Sequence, residues 1–314
     1  MKENETKDLT LIQIIDQFPT DEAARLHLEG IRWKDGIVCP HCKCNDQAKF
    51  SNINPNPEAK TRAGLRWCSD CKKPFTVTIG TIFESSHIPL RKWLIAWYMV
   101  CSSKKGISSL QLQRNLELGS YRTALFMTHR IRFALKDQSF KDKLSGAVEV
   151  DETYIGGKRK GAGRGSLNGK VPVVSLLERN GRVRSQVMKR VSGKNLQAAV
   201  RKNVMALSEI HTDENRGYCG VKSLYEHHTV KHAMGEYVRR EKNRMVTTNG
   251  VEGFFSLLKR GVIGTFHHVS EQHLPLYLAE FDHRHNFRNV TDGERTIQGL
   301  KKVEGKRLMY RQPA

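Results

Sequence analysis

Three acids stand out for where they sit in the chain. Asp151 lies inside an apolar run, VEVDETYIGG, where a carboxylate is costly unless it meets a cation or a hydrogen-bond donor. Asp213 lies at the end of another short strand, EIHTD, and Glu252 falls near the start of an amphipathic stretch, TTNGVEGFFSLLKR. Three carboxylates gathered from three elements can hold two divalent ions ~3.5 to 4 Å apart, which activate a water and stabilise the leaving oxygen in phosphoryl transfer. Oxygen ligands of this kind suit magnesium or manganese. Lys259 follows Glu252 by seven residues, close to two helical turns, so the two share a face and the lysine can hold a phosphate near the ions. Each acid also has a plainer reading. Asp151 can pair with a basic residue, with Glu152 beside it facing the other way; Asp213 can open a turn; and Asn249 precedes Glu252 by three, the spacing of a capping box.

A second constellation is sulfur. Cys39-Pro-His-Cys42 and Cys68-Ser-Asp-Cys71 are two C-x2-C pairs with 25 residues between them, enough to close a tetrahedral four-thiolate shell around structural zinc. His41 and Cys44 are spare soft ligands, and a redox C-x-x-C pair is the competing chemistry. A shell filled by four protein ligands holds a fold together rather than catalysing.

The charge names a partner. With 53 Lys and Arg against 32 Asp and Glu, the chain carries +21, and from Tyr154 to Lys202 there are 13 basic residues against Glu178 alone. That imbalance calls for a polyanion, nucleic acid first, though charge does not say whether the partner is cut or only held. The 38% hydrophobic content is too high for a disordered chain, and the longest apolar run, Trp93 to Cys101, is nine residues, far short of the roughly twenty that cross a bilayer. The opening MKENETKDLT lacks the pattern of a secretory signal, so the expected compartment is the reducing cytoplasm, with cysteines as thiols or metal ligands.

The elements that must position these residues follow from periodicity. Residues 9–32 carry apolar positions at helical spacing, with Thr20, Asp21 and Glu22 suited to start a second helix. Pro89 to Cys101 reads as an amphipathic helix whose tryptophans are core, and Ser108 to Leu118 with Ser120 to Lys136 as a helix-turn-helix whose basic second helix (Arg122, His129, Arg130, Arg132) can either enter a groove or serve as scaffold. From Gly146 the period changes: AVEVDETYIGG, VPVVSLLE and GRVRSQVM read as strands, with Asn180-Gly181 as the turn between the last two. A helix over Asn195 to Leu207, a strand over Glu209 to Thr212, a fifth strand over His228 to Lys231 and a helix from Thr248 to Lys259 complete an α/β layer on a mixed sheet.

With these residues in hand, the chain resembles the bacterial insertion-sequence DDE transposases related to the Merlin elements. The resemblance rests on RWKDGIVCPHC, CSDCKKPFTVTIGTIFESSHIPLRKW, VEVDETYIGGK, HTDENRGY and TTNGVEGFFSLLKRGVIGTFHHVSEQHLPLYLAEFDHRHNFR, and covers nearly the whole chain. It implies an N-terminal helical segment (1–36), a zinc ribbon (37–80), a helical, helix-turn-helix-like DNA-binding region (81–145), a ribonuclease-H-like catalytic domain (146–290) and a basic tail (291–314). Asp151, Asp213 and Glu252 are implied as the catalytic, metal-binding acids, with Lys259 after them. Relatives vary at the third acid, some presenting Asn, which sets Asn249 beside Glu252 as a candidate. Lys158, Arg159, Lys160 and Arg164, in a Gly-rich loop, and Arg260 are implied contacts to DNA backbone, while His267, His268 and His273 can touch DNA or pack. The implied activity is metal-dependent cleavage at element ends and strand transfer into target DNA by a homodimer or larger assembly at the bacterial nucleoid. A zinc-ribbon regulator that no longer cuts, or a ribonuclease-H-like nuclease, are the alternatives.

Overall fold

The computed structural model describes residues 8–58, 61–136, 142–157, 167, 169–241 and 244–309. They belong to two compact units, one formed by residues 1–135 with 289–314 and the other by residues 136–288. Among the described residues no helix is long and apolar enough to cross a membrane.

The first unit opens on α1 (Leu11–Gln17) and α2 (Asp21–Arg32). Thr20 starts α2 as its sequence indicates: the hydroxyl accepts the Ala23 N–H at 3.2 Å, and Asp21 and Glu22 lie at the positive end of the helix dipole. Three short antiparallel strands follow in order, β1 (Phe50–Asn52), β2 (Arg66–Cys68) and β3 (Lys73–Phe75). In α3 (Leu90–Ser102) every residue from Trp93 to Cys101 is buried, so its tryptophans are core.

α4 (Ser109–Asn115) and α5 (Tyr121–Leu135) form the anticipated helical pair, tied by Ser109 Oγ and Thr128 Oγ1 at 2.9 Å. Three of the four basic residues noted on α5 are scaffold rather than surface. His129, Arg130 and Arg132 are buried, and only Arg122 of its four basic residues is exposed. Arg130 stacks on the Trp93 ring at 5.3 Å and donates to the Glu84 carbonyl at 2.7 Å, because a guanidinium is weakly hydrated and an aromatic face can replace water. Residues 291–314, anticipated as a basic tail, begin instead with a capped helix, Asp292–Leu300. Leu300 and Val303 enter the same apolar core as Trp93 and Trp97, so burial of apolar surface draws this segment back onto the first unit.

The second unit is the α/β layer. Its five strands are β4 (Ala147–Ile155), β5 (Val171–Glu178), β6 (Val183–Val187), β7 (Glu209–Thr212) and β8 (Glu226–Thr229), ordered β6-β5-β4-β7-β8. β4, β5 and β6 form an antiparallel meander, turned at Asn180 with a left-handed φ of 59°, while β7 and β8 run parallel to β4. This is the ribonuclease-H-like mixed sheet that the sequence implies. α6 (Gly193–Asn203) covers one face. It starts at the Ser192 cap and stops at Asn203, short of Leu207, because Val204 leaves the helix to bridge Leu144. Val148, Val150, Val174 and Leu176 pack against its Leu196 and Val200.

Between β8 and the next helix lies a hairpin the sequence pattern did not reveal, β9 (Val238–Glu241) with β10 (Arg244–Thr247). α7 (Asn249–Gly261) and α8 (Leu274–Asn286) cover the other face through Val251, Phe254, Phe255 and Phe281 on Val173 and Leu177. α8 also occupies the outer edge of β6: Asp282 accepts the Ser185 N–H at 2.8 Å and Asn286 the Val183 N–H at 2.7 Å, which closes an edge that otherwise invites pairing with another chain.

Two histidines of this unit set its acid limit. Burial pushes His227 on β8 and His285 on α8 down to about 4, with Lys222 and Arg288 respectively adding to it. An imidazole whose folded value lies below its unfolded value of about 6.5 supports the fold only while neutral. That support is complete above about pH 6.5 and is lost as pH falls toward 4. Melting temperatures should therefore drop over this interval, and His285→Phe, which keeps an aromatic ring against Phe254, should make the drop shallower; an unchanged acid limb in that variant contradicts the assignment.

Candidate active site

Strand register brings the first two acids together. β4 pairs with β7 so that Ala147, Val148 and Glu149 stand opposite Glu209, Ile210 and His211, an offset of 62. Asp151 and Asp213 are separated by the same 62 residues, so the register carried two residues further sets one aspartate against the other where β7 ends. Parity then selects the face. Val148 and Val150 point into the α6 side, so Glu149 and Asp151 point to the α7 side, from which Glu252 comes on the first turn of that helix.

Two of the three carboxylates are strongly perturbed. Burial, with repulsion from Glu152, Asp213 and Glu252, pushes Asp151 up to about 7. Asp213 is also raised, by burial first and then by Glu214 and Glu252, against the relief given by the Asn215 N–H and by His232. Desolvated carboxylates that repel one another are the electrostatic condition that a bound cation relieves, and hard oxygen donors fit a divalent ion. Glu152, the neighbour facing the other way, is used differently: the Tyr218 hydroxyl donates to it at 2.5 Å and the Asn215 amide donates to its second oxygen. Its acceptors are thus already engaged on the α6 side.

The start of α7 departs from the capping box that Asn249 and Glu252 suggest. Thr248 is the N-cap residue, but its hydroxyl makes no capping bond and instead donates to Glu252 Oε1 at 3.0 Å. The cap comes from across the unit. Glu149, 3% exposed and two residues before Asp151, accepts the Val251 N–H at 3.0 Å and also bonds the Gly250 N–H. One buried side chain therefore fastens the helix bearing Glu252 to the strand bearing Asp151. A Cβ at Gly250 would stand 2.7 Å from Glu149 Oε2, so any larger residue there would displace the carboxylate. Arg179 balances the charge, donating to Glu149 at 3.2 Å and to the Met245 carbonyl at 2.6 Å. Glu149→Ala leaves Arg179 without its carboxylate and α7 without its cap. We expect a loss of about 3 kcal/mol from the second unit, read by urea denaturation; a loss within 0.5 kcal/mol of zero, roughly that of a surface site, contradicts this role.

Two further residues close the site. His232 Nε2 lies 3.0 Å from Thr248 Oγ1 and 3.3 Å from Glu252 Oε1, and Glu214 accepts the backbone N–H groups of His232 and Ala233, each at 2.9 Å. Glu149 was legible in principle, as a charge two residues from Asp151 on the same strand face. Nothing in the sequence near His232 marks it, because the contact is made across 20 residues of chain.

The anticipated cations do not join this cluster. Lys259 and Arg260 are exposed on the last turn of α7, where Arg260 donates to the Ser256 carbonyl at 3.1 Å, and neither forms an ion pair with the three acids among the described residues. Asn249 is exposed, as are His267 and His268 beyond the helix. Lys158, Arg159, Lys160 and Arg164 lie outside the described residues.

In the first unit the four cysteines converge. Cys39, Cys42, Cys68 and Cys71 present sulfurs all within 4.8 Å of one another, with Cys39 to Cys71 and Cys42 to Cys68 each at 3.7 Å. Four thiolates around zinc at about 2.3 Å stand about 3.8 Å apart in a tetrahedron, so the spacing fits that ion. The close contacts run between the two C-x2-C pairs rather than within them, which is the arrangement of one shared metal site and not of a redox pair. Burial and the three neighbouring thiols push Cys71 up to about 12, while the backbone N–H of Cys71 holds Cys68 down at about 7. His41 and Cys44 stay outside the quartet; His41 Nε2 meets the Pro74 carbonyl at 3.3 Å.

Comparison with known proteins matches a stretch of each unit. Residues 19–74 match the transposase zinc-ribbon domain and residues 143–286 the ISXO2-like transposase domain. The chain is 27% identical over 289 residues, 86% of its own length and 92% of the other, to an uncharacterized protein in transposable element ISH50 of Halobacterium salinarum. No solved structure matches it significantly. A four-cysteine ribbon followed by a five-stranded mixed sheet, each matched by its own model and in that order, gives the chain a transposase zinc-ribbon domain and an ISXO2-like transposase domain.

Proposed function

We propose that the chain cuts DNA at the ends of its own element and joins them to target DNA, with Asp151, Asp213 and Glu252 holding two magnesium or manganese ions. The observation that supports this most is the strand register that sets Asp151 beside Asp213 on the sheet face to which α7 brings Glu252, where burial first and the neighbouring acids after it push Asp151 up to about 7. Bound there, divalent ions activate a water or a 3′ hydroxyl and stabilise the leaving oxygen. Asp151 and Asp213, from neighbouring strands, and Glu252, from α7, would supply the oxygen ligands for these ions. Hydrolysis exposes a 3′ hydroxyl at the element end, which then attacks the target, with no covalent link between protein and DNA. Lys259 contacts a phosphate close to the acids. Lys158, Arg159, Lys160, Arg164 and Arg260 grip backbone without reading sequence. Both ends must be held at once, which calls for a homodimer or larger assembly working at the nucleoid in the cytoplasm.

The test is cleavage of a duplex carrying the element's own ends. Expected is a nick at the end that requires Mg2+ or Mn2+ and is absent in chelator. Binding without cleavage under every metal condition supports a non-catalytic regulator instead, and cutting of hybrid duplexes without regard to the ends supports a nuclease.

A further inference from the structure

The least confined of the three acids is Glu252: its side chain is 41% exposed, and it sits on the surface of a helix rather than in a strand. A glutamate with three free torsions loses rotamer freedom when fixed, so packing alone does not set its carboxylate. What sets it is a chain of contacts that begins beside Asp213. Glu214, the next residue, uses both oxygens to accept the N–H groups of His232 and Ala233 at 2.9 Å each, clamping the first turn of the segment His232–Met234. The ring of Tyr237 packs against His232 at 5.3 Å. From that fixed turn, Nε2 reaches Thr248 Oγ1 at 3.0 Å and Glu252 Oε1 at 3.3 Å, while Thr248 itself donates to the same oxygen. The tautomer with its proton on Nε2 serves both acceptors. Both contacts fall on Oε1, and among the described residues Oε2 has no protein partner.

We propose that Glu214 and His232 form a strut that fixes Glu252 relative to Asp213, so that His232 is a positioning residue for the third acid and sets how tightly the site takes its divalent ions. The proposal rests on Glu252 being a metal ligand. One oxygen held by outer partners and the other left open is the arrangement by which surrounding residues orient a ligating carboxylate, and loss of such a partner typically costs about 10- to 100-fold in metal affinity. Thr248 spends its hydroxyl on Glu252 and not on capping its own helix, a task that Glu149 performs.

The test is calorimetric titration of the full chain with Mn2+, in the wild type and in His232→Ala, His232→Gln and Glu252→Ala, each checked for folding by thermal melting. His232→Ala should weaken Mn2+ binding about 10- to 100-fold, and His232→Gln, whose amide can still donate to Oε1, should recover most of it. Glu214→Ala, an exposed change that touches neither Glu252 nor the ions, should weaken binding in the same direction but less. In cleavage, the His232→Ala deficit should shrink as Mg2+ is raised. Wild-type Mn2+ affinity in His232→Ala, with weakened affinity in Glu252→Ala, overturns the strut alone. Wild-type affinity in Glu252→Ala overturns the reading of Glu252 as a ligand, and the strut with it.

Discussion

Asp151→Asn should abolish strand cleavage, by about 10³-fold or more, while leaving DNA binding intact and making the metal-free chain more stable. The first effect follows from charge: metal ions supply several kcal/mol of transition-state stabilisation, each 1.36 kcal/mol is a factor of ten in rate, and the amide removes the carboxylate that would hold them. The second follows from burial. Asp151 stands at about 7 in the folded chain against 3.8 unfolded, so the folded state binds its proton more tightly, and stability declines as pH rises from about 4 to about 7. Above that range the ionised side chain costs up to about 4 kcal/mol. An isosteric amide removes this cost. A structural aspartate behaves in the opposite way, since losing a satisfied ion pair destabilises, so melting temperature and cleavage rate measured on the same variant separate the two roles. Mg2+ should raise the melting temperature of the wild type and not that of the variant. A destabilised Asp151→Asn that still cuts contradicts the assignment.

Cys68→Ser should release zinc and unfold the ribbon. The ribbon has little else to hold it: three strands of three residues, and a buried cluster of Cys39, Cys68 and Phe75 with a few half-buried neighbours such as Trp33 and Phe50. Strands this short are not stable alone, whereas structural zinc contributes about 10 to 16 kcal/mol of apparent binding energy to small folds of this kind. Metal analysis should find the zinc content of the variant lost, and limited proteolysis should open residues 37–80 while residues 142–288, whose apolar cores include none of the ribbon's residues, stay resistant. The same pattern is expected of wild type stripped with chelator. A ribbon that stays protected without metal contradicts the account.

Much of this arrangement was legible along the chain because it rests on local periods. Alternation in VEVDETYIGG gives the strand and the face of Asp151, and the C-x2-C spacing gives the thiol quartet. What the sequence could not show depends on partners far away in the chain. The basic residues of α5 look like a DNA-reading face until Trp93, 37 residues earlier, takes up Arg130. The segment after residue 290 looks like a charged tail, yet Lys306 turns its ammonium inward to the Ala134 carbonyl, a partner 172 residues away. The capping-box spacing of Asn249 and Glu252 was real as a pattern and unused as a cap, because Glu149 reaches α7 first from 102 residues away. Glu149 and His232, which hold the candidate site together, belong to this class of long-range contact.

The central claim is that Asp151, Asp213 and Glu252 form one divalent-metal site. Anomalous diffraction from crystals of the chain bound to its element-end DNA and grown with Mn2+ tests it most directly. The account predicts two manganese peaks bounded by these three carboxylates, both absent in Asp151→Asn crystals. Manganese peaks located elsewhere, or none at saturating Mn2+ with the DNA end in place, contradict it.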